Sequence, residues 1–193
     1  HPAGDDASMK ARAAYRRRLG FADSDVVCIY TGRFSKDKGP HCLANAIGIL
    51  AAPGKPYRGL FVGAGSDEDA RFIRSNPGCV IHPFVSARDL PPLYWASDIG
   101  VWPRQESTSQ LDAAACGLPI IVSNRVTVRE RYEGNGLTYE ENDPADLARK
   151  IESLSDSETR RDLGEHGARK MQERFSWLAI ARQRIKDYEA ALS

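Results

Sequence analysis

The 193-residue chain has little charge of either sign to spare: 27 Lys and Arg stand against 26 Asp and Glu, a formal net charge of +1. That balance excludes a protein that finds nucleic acid or an anionic lipid surface by bulk charge. No apolar run approaches the roughly 20 residues of a membrane-spanning helix, and no signal peptide opens the chain. Internal repeats and low-complexity segments are also missing. The four cysteines, Cys28, Cys42, Cys79 and Cys116, form no Cys-x-x-Cys pair. Three lie inside apolar runs, so the expectation is reduced, buried, structural thiols in a cytosolic protein. The chain starts at His1 rather than Met, which suggests a fragment whose upstream part is missing.

What is present is the composition of a globular domain, with 41% hydrophobic and 27% charged residues. At this length roughly 70% of the unfolded surface can be buried, enough for one core without staples. Short apolar runs alternate with helical periodicity. Val26 to Thr31, Gly59 to Gly63, Cys79 to His82, Ile99 to Pro103 and Pro119 to Ser123 read as buried strands, with a weaker strand at Gly136 to Tyr139. Between them, Leu43, Ala46, Ile47 and Leu50 recur at helical spacing. Further helices are expected over Asp67 to Ser75, Ala87 to Ser97 and Ser109 to Cys116, and through Leu147, Ile151 and Leu154. Strands alternating with helices pair in parallel, because a parallel pair needs a crossover. The expected fold is therefore α/β: a Rossmann-like open parallel sheet with helices on both faces and ligands at the carboxyl ends of the strands.

The ends differ from the middle. Residues 1–20, carrying Arg16, Arg17 and Arg18, read as a linker remnant with a helix. Residues 21–175 form the Rossmann-like domain. Residues 176–193 form a last helix, whose stripe of Trp177, Ala181, Ile185, Tyr188 and Leu192 must pack on something.

Three strand ends carry candidate chemistry. After the first, Gly32-Arg33-Phe34-Ser35-Lys36-Asp37-Lys38-Gly39 delivers Arg33 and Lys38 just ahead of a helix. Guanidinium, ammonium and free helix N–H groups together suit a diphosphate, although most Lys-rich turns are simply solvated. After the second, Gly63-Ala64-Gly65-Ser66 starts like a dinucleotide fingerprint but has Glu68 at the third glycine, which disfavours an oxidoreductase. Its glycines still allow close backbone approach by a ligand. The acids Asp67, Glu68 and Asp69 fit the first turn of a helix better than a metal site. His82, beside Pro83, receives no catalytic role. After the fourth strand, Pro103 to Asp112 passes through Glu106 and the hydroxyls of Ser107, Thr108 and Ser109 into a small-residue helix. Hydroxyls and free N–H groups there can hold a phosphate oxygen, and a carboxylate can take two hydrogen bonds from a sugar diol. Ser109-x-x-Asp112 is equally a capping box, a structural device.

Taken in order, these motifs resemble the C-terminal, donor-binding domain of a retaining glycosyltransferase of the two-Rossmann-domain GT-B architecture, glycosyltransferase family 4 (group 1). The matching residues are Gly32-Arg33 with Lys38-Gly39, Gly63 and Gly65, Leu93 to Asp98 with the strand to Pro103, Asp112-Ala113-Ala114-Ala115-Cys116-Gly117-Leu118-Pro119, Asn135-Gly136-Leu137, Asp143 to Leu147, and Phe175-Ser176-Trp177. The resemblance implies a nucleotide-diphosphate sugar as donor, a glycan or lipid-linked acceptor, and no cofactor or divalent metal. It gives catalytic roles to Arg33, Lys38 and Glu106: the two cations on the diphosphate, Glu106 on the donor sugar. It puts Asp112 on the ribose, the amides of Ser107 to Ser109 beside the phosphates, and the backbone around Pro83 and Phe84 at the base, with Gly32, Gly63 and Gly65 lining the site. The acceptor domain would be a missing N-terminal part of the same protein, to which the last helix returns. Location would be cytoplasmic, with peripheral membrane contact only through that domain, and the isolated fragment would not transfer sugar. A non-catalytic nucleotide-sugar binding or scaffold module, or a GT-B epimerase or phosphorylase, is the alternative. Two features depart from the family. Its acids stand eight residues apart, whereas Glu106 and Asp112 are six apart and the second acid is Asp. An ungapped match puts Arg104 at the first acid's place; Glu106 is preferred because a loop deletion costs less than exchanging a carboxylate for a cation. The family's glycine-rich stretch after the first acid is replaced by Ser107-Thr108-Ser109.

Overall fold

The computed structural model describes residues 6–51, 55–104 and 106–192. Residues 1–5, to which the fragment reading of His1 belongs, lie outside them, as does Gln105. Six strands form one parallel sheet: β1 (Val26–Thr31), β2 (Tyr57–Val62), β3 (Cys79–His82), β4 (Ile99–Trp102), β5 (Ile120–Ser123) and β6 (Gly136–Tyr139). Their order, β3-β2-β1-β4-β5-β6, is that of a Rossmann sheet and reverses direction between β1 and β4. All residues of β1, β4 and β5 are buried, as β-branched strands covered on both faces must be. The outer strands β3 and β6 are half-buried.

Helices α2 (Pro40–Ala51), α3 (Asp67–Ser75) and α6 (Pro144–Ser153) contact one another in one layer. Helices α1 (Asp6–Leu19), α4 (Pro91–Trp95), α5 (Ser109–Ala115) and α7 (Ser157–Lys170) form a second chain of contacts. The apolar stripes sit where the spacing puts them: Leu43, Ala46, Ile47 and Leu50 on α2 and Leu147 and Ile151 on α6 face the core, and Leu154 just past α6 is buried with them. The continuous helix expected over Ala87 to Ser97 is instead a 3-10 turn, Ala87–Asp89, followed by α4. Pro91 and Pro92 have no N–H to continue the first turn, but suit the start of the second. Helix α7 has no clear apolar stripe in the sequence; it packs through small residues. A Cβ on Gly164 would lie 2.0 Å from the Gly117 carbonyl oxygen.

Helix α1 is fastened to the domain. Arg16 is 1% exposed although it belongs to a run of three arginines. Its guanidinium donates to the Ala22, Asp25 and Ala96 carbonyls and pairs with Asp98 at 3.2 Å. Arg12 pairs with the other Asp98 oxygen at 2.6 Å. Asp98 also accepts from the Val27 N–H at 2.8 Å, so one carboxylate joins α1 to the amino ends of β1 and β4. Asp98→Ala is expected to cost about 3 kcal/mol, because it leaves a buried guanidinium without its anion; chemical denaturation measures it.

The last helix, α8 (Trp177–Leu192), follows a short π turn, Met171–Phe175. Its apolar stripe is uncovered among the described residues, with Trp177 88% and Tyr188 65% exposed. No described helix is long and apolar enough to cross a membrane.

Candidate functional site

Beyond their last residues, β1 and β2 stay joined. The Gly32 N–H donates to the Val62 carbonyl (3.0 Å) and the Phe34 N–H to that of Ala64 (2.8 Å), while the Gly63 N–H ties β2 to β3 through the His82 carbonyl (3.1 Å). Phe34 and Gly65 form a further parallel bridge. The glycines make this possible. A Cβ on Gly63, whose φ is +149°, would stand 2.0 Å from the Gly32 oxygen, and one on Gly65 2.3 Å from the Phe34 oxygen. The close approach they permit is first of all that of a neighbouring loop.

This zipped edge floors a cavity of about 360 Å3 whose lining includes Gly32, Arg33, Gly63, Phe84, Val85 and Ser109. The ends of β1 and β2 meet there with the segments that follow β3 and β4, beside the sheet's switch point between β1 and β4. Phe84 is 77% exposed. An aromatic ring left in water at a cavity mouth presents a face on which a flat ligand can stack. Below the cavity, the Thr31 hydroxyl lies 3.1 Å from that of Tyr94, and the Trp102 indole donates to the Thr31 carbonyl at 3.3 Å. Burial pushes the Tyr94 hydroxyl up to about 12, so it stays protonated. Tyr94 lies within the Leu93 to Asp98 stretch, whereas Thr31 is marked only by being the last residue of a buried strand.

Arg33 is exposed on the cavity rim, and its guanidinium makes no hydrogen bond or ion pair among the described residues. The Lys38 ammonium is likewise unpaired among them; its backbone N–H bonds to Ser35 within the loop. The Asp37 carboxyl is held below the ordinary range by the Ser35 side chain beside it, and the charges of Lys38 and Arg33 act the same way. Both cations therefore flank Asp37 on one loop. Lys38 does not itself line the cavity.

At the other side, Ser107 accepts from the Ser109 N–H at 3.3 Å, Thr108 is exposed, and Ser109 lines the cavity. No capping box forms between Ser109 and Asp112: α5 has no side-chain cap, and the Asp112 carboxylate makes no hydrogen bond among the described residues. Partial desolvation raises the Asp112 carboxyl above its ordinary value. Pro83 is exposed, and its carbonyl lies 2.9 Å from His82 Nδ1. The acids of α3 behave as helix-start residues, for Ser66 and Asp69 cap each other and Asp69 pairs with His41 at 2.8 Å. No metal-binding cluster occurs among the described residues.

Glu106 is not brought to this cavity. Its carboxylate faces the loop after β5, 3.5 Å from the Thr127 hydroxyl and 4.0 Å from Arg131. The side chain that reaches the Gly32–Gly39 loop from after β4 is Arg104. Its guanidinium donates to the Lys36 carbonyl at 2.9 Å and lies 3.8 Å from Glu141, and its stem covers Gly39, where a Cβ would be 2.6 Å from Arg104 Cγ. The four cysteines are free, with Cys28 buried and the others half-buried. Burial pushes Cys79 up to about 12 and Cys116 up to about 11, which makes both thiols inert.

The sequence profile of the family described as glycosyl transferases group 1 matches residues 25–157. Spore coat protein SA of Bacillus subtilis is 29% identical over 98% of this chain and 55% of its own length. A D-inositol 3-phosphate glycosyltransferase of Geodermatophilus obscurus is 30% identical over 93% of this chain and 44% of its own. The chain thus spans about half the length of these relatives. Among solved structures, Anabaena HepE in complex with UDP superposes with a TM-score of 0.79 at 19% identity, over 94% of this chain and 53% of that one.

Proposed function

Given that the chain belongs to the group 1 glycosyl transferases, we propose that it is the donor-binding half of a retaining glycosyltransferase that moves a sugar from a nucleotide diphosphate to a glycan or lipid-linked acceptor. The observation that carries this reading is the unpaired Arg33 guanidinium on the rim of the cavity at the switch point. The neighbour HepE was solved with UDP, which supports a nucleoside diphosphate as the ligand. The nucleoside enters the cavity between Phe84 and the glycine-lined floor. The diphosphate lies across the Gly32–Gly39 loop, where Arg33 and Lys38 meet its charge. As the glycosidic bond breaks, the leaving diphosphate gains negative charge, and fixed cations stabilise that state more than the ground state. Such cations remove the need for a divalent metal. Asp112 takes the ribose hydroxyls, its carboxylate being left unbonded by the fold. The acceptor is held by an N-terminal domain, and the exposed stripe of α8 rests on that domain.

Isothermal titration of the full-length protein with UDP, GDP and the matching nucleosides tests this. One diphosphate is expected to bind well above its nucleoside; equal affinities would remove the phosphate assignment. The pH dependence carries a second expectation. Asp112 accepts from two ribose hydroxyls most strongly when ionised, and its carboxyl titrates above the ordinary aspartate value. Nucleotide affinity should therefore fall on acidification from a higher pH than an ordinary aspartate would give, and Asp112→Asn should abolish that limb. The same raised value means that ionising Asp112 costs the empty fold stability as pH rises through it, a cost the ribose hydrogen bonds offset.

A further inference from the structure

The loop after β4 places a cation, and no carboxylate, against the diphosphate loop. Arg104 lines a second cavity, of about 610 Å3, together with Lys36, Gly39, His41, Glu68 and Phe72. Its position at Lys36 and Gly39 sets this cavity beside the same Gly32–Gly39 loop whose Arg33 rims the first. The two cavities thus open on the two sides of one loop, Lys36 and Gly39 lining one and Gly32 and Arg33 the other.

The charges in the second cavity are unequal in availability. His41 is engaged by Asp69, and Asp69 by Ser66 as well. Arg104 uses one N–H on the Lys36 carbonyl, and its Nε is 3.8 Å from Glu141. That carboxylate is shared with Arg125 at 3.9 Å and accepts from Ser123 at 2.8 Å. A guanidinium carries five N–H donors in a planar fork suited to a carboxylate. The remaining donors of Arg104 and the Lys36 ammonium therefore await an anion. Glu68, with no hydrogen bond or ion pair among the described residues, is left to accept from hydroxyls.

Resting on the donor-binding reading above, we infer that the donor is a nucleotide-diphosphate uronic acid, whose sugar carboxylate is taken by Arg104 and Lys36. A neutral hexose offers those cations only a hydroxymethyl group. Charge-assisted bonds to a carboxylate are worth enough for about a tenfold preference.

The test is competitive titration of the full-length protein with UDP-glucuronate against UDP-glucose, or with GDP-mannuronate against GDP-mannose where guanosine is the base bound. The uronate is expected to bind about tenfold more tightly. Arg104→Gln should bring the ratio near one, and Lys36→Ala should lower it by about threefold. Lys36→Ala is the safeguard against misfolding, because Arg104 also braces the loop whereas the Lys36 side chain is exposed; melting curves accompany both. Equal affinities in the wild type, or a preference that survives both substitutions, would overturn the inference and leave Arg104 as a loop brace. Binding of no diphosphate at all would overturn the donor-binding reading itself, and this inference with it.

Discussion

Arg33→Ala is expected to lower kcat/KM for sugar transfer by the full-length protein about a hundred- to a thousandfold, the usual cost of losing one preorganised charge donor at a developing anion. Its melting temperature should not move, because the Arg33 side chain makes no bond among the described residues whose loss could weaken the fold. Lys38→Ala should act in the same direction with a smaller loss, a lysine being a point charge without the paired geometry of a guanidinium. Steady-state kinetics and thermal melts on the same samples separate the chemical effect from a folding defect. A loss below about threefold in Arg33→Ala would take the diphosphate away from this loop.

Gly63→Ala is expected to act on the fold, and severely. The added methyl would stand 2.0 Å from the Gly32 oxygen at a φ of +149°, a backbone state that side chains rarely adopt. Gly32 and Phe34 bond to Val62 and Ala64 on either side of Gly63, and Gly63 itself bonds to His82 of β3, so neither backbone can yield without breaking bonds on that edge. Strain and steric overlap together place the loss at about 4 to 5 kcal/mol. Chemical denaturation should show it, with nucleotide binding lost alongside because the cavity floor is that edge. Near wild-type stability would mean that the two loops are not zipped.

The sheet was legible because its strands are short β-branched runs between glycines, and the ranges for β1, β3 and β6 coincide with those found. The helices were legible where an apolar stripe faces the sheet, as on α2 and α6. Helix α7 was not, since it packs by Gly164 against a backbone oxygen, and small residues leave no periodic signal. Arg16 belongs to a charged run in the sequence, yet it is buried against a carboxylate 82 residues away. No local pattern carries that information. The site shows the same division. Arg33, Gly32, Gly63 and Ser109 meet at one cavity, because strand ends of a parallel sheet share an edge and sequence order fixes which edge. The side-chain directions in Pro103 to Ser107 are set by partners on distant loops. Glu141 and the Lys36 carbonyl hold Arg104, while Thr127 and Arg131 hold Glu106. Those partners lie far away in sequence, so no local pattern separates Arg104 from Glu106.

A crystal structure of the full-length protein soaked with the tighter-binding nucleoside diphosphate tests the central claim most directly. The account predicts diphosphate density bonded to Arg33 and Lys38, with the nucleoside between Phe84 and the Gly32 and Gly63 backbone. Density with its phosphates on another face, leaving both cations in water, would contradict it.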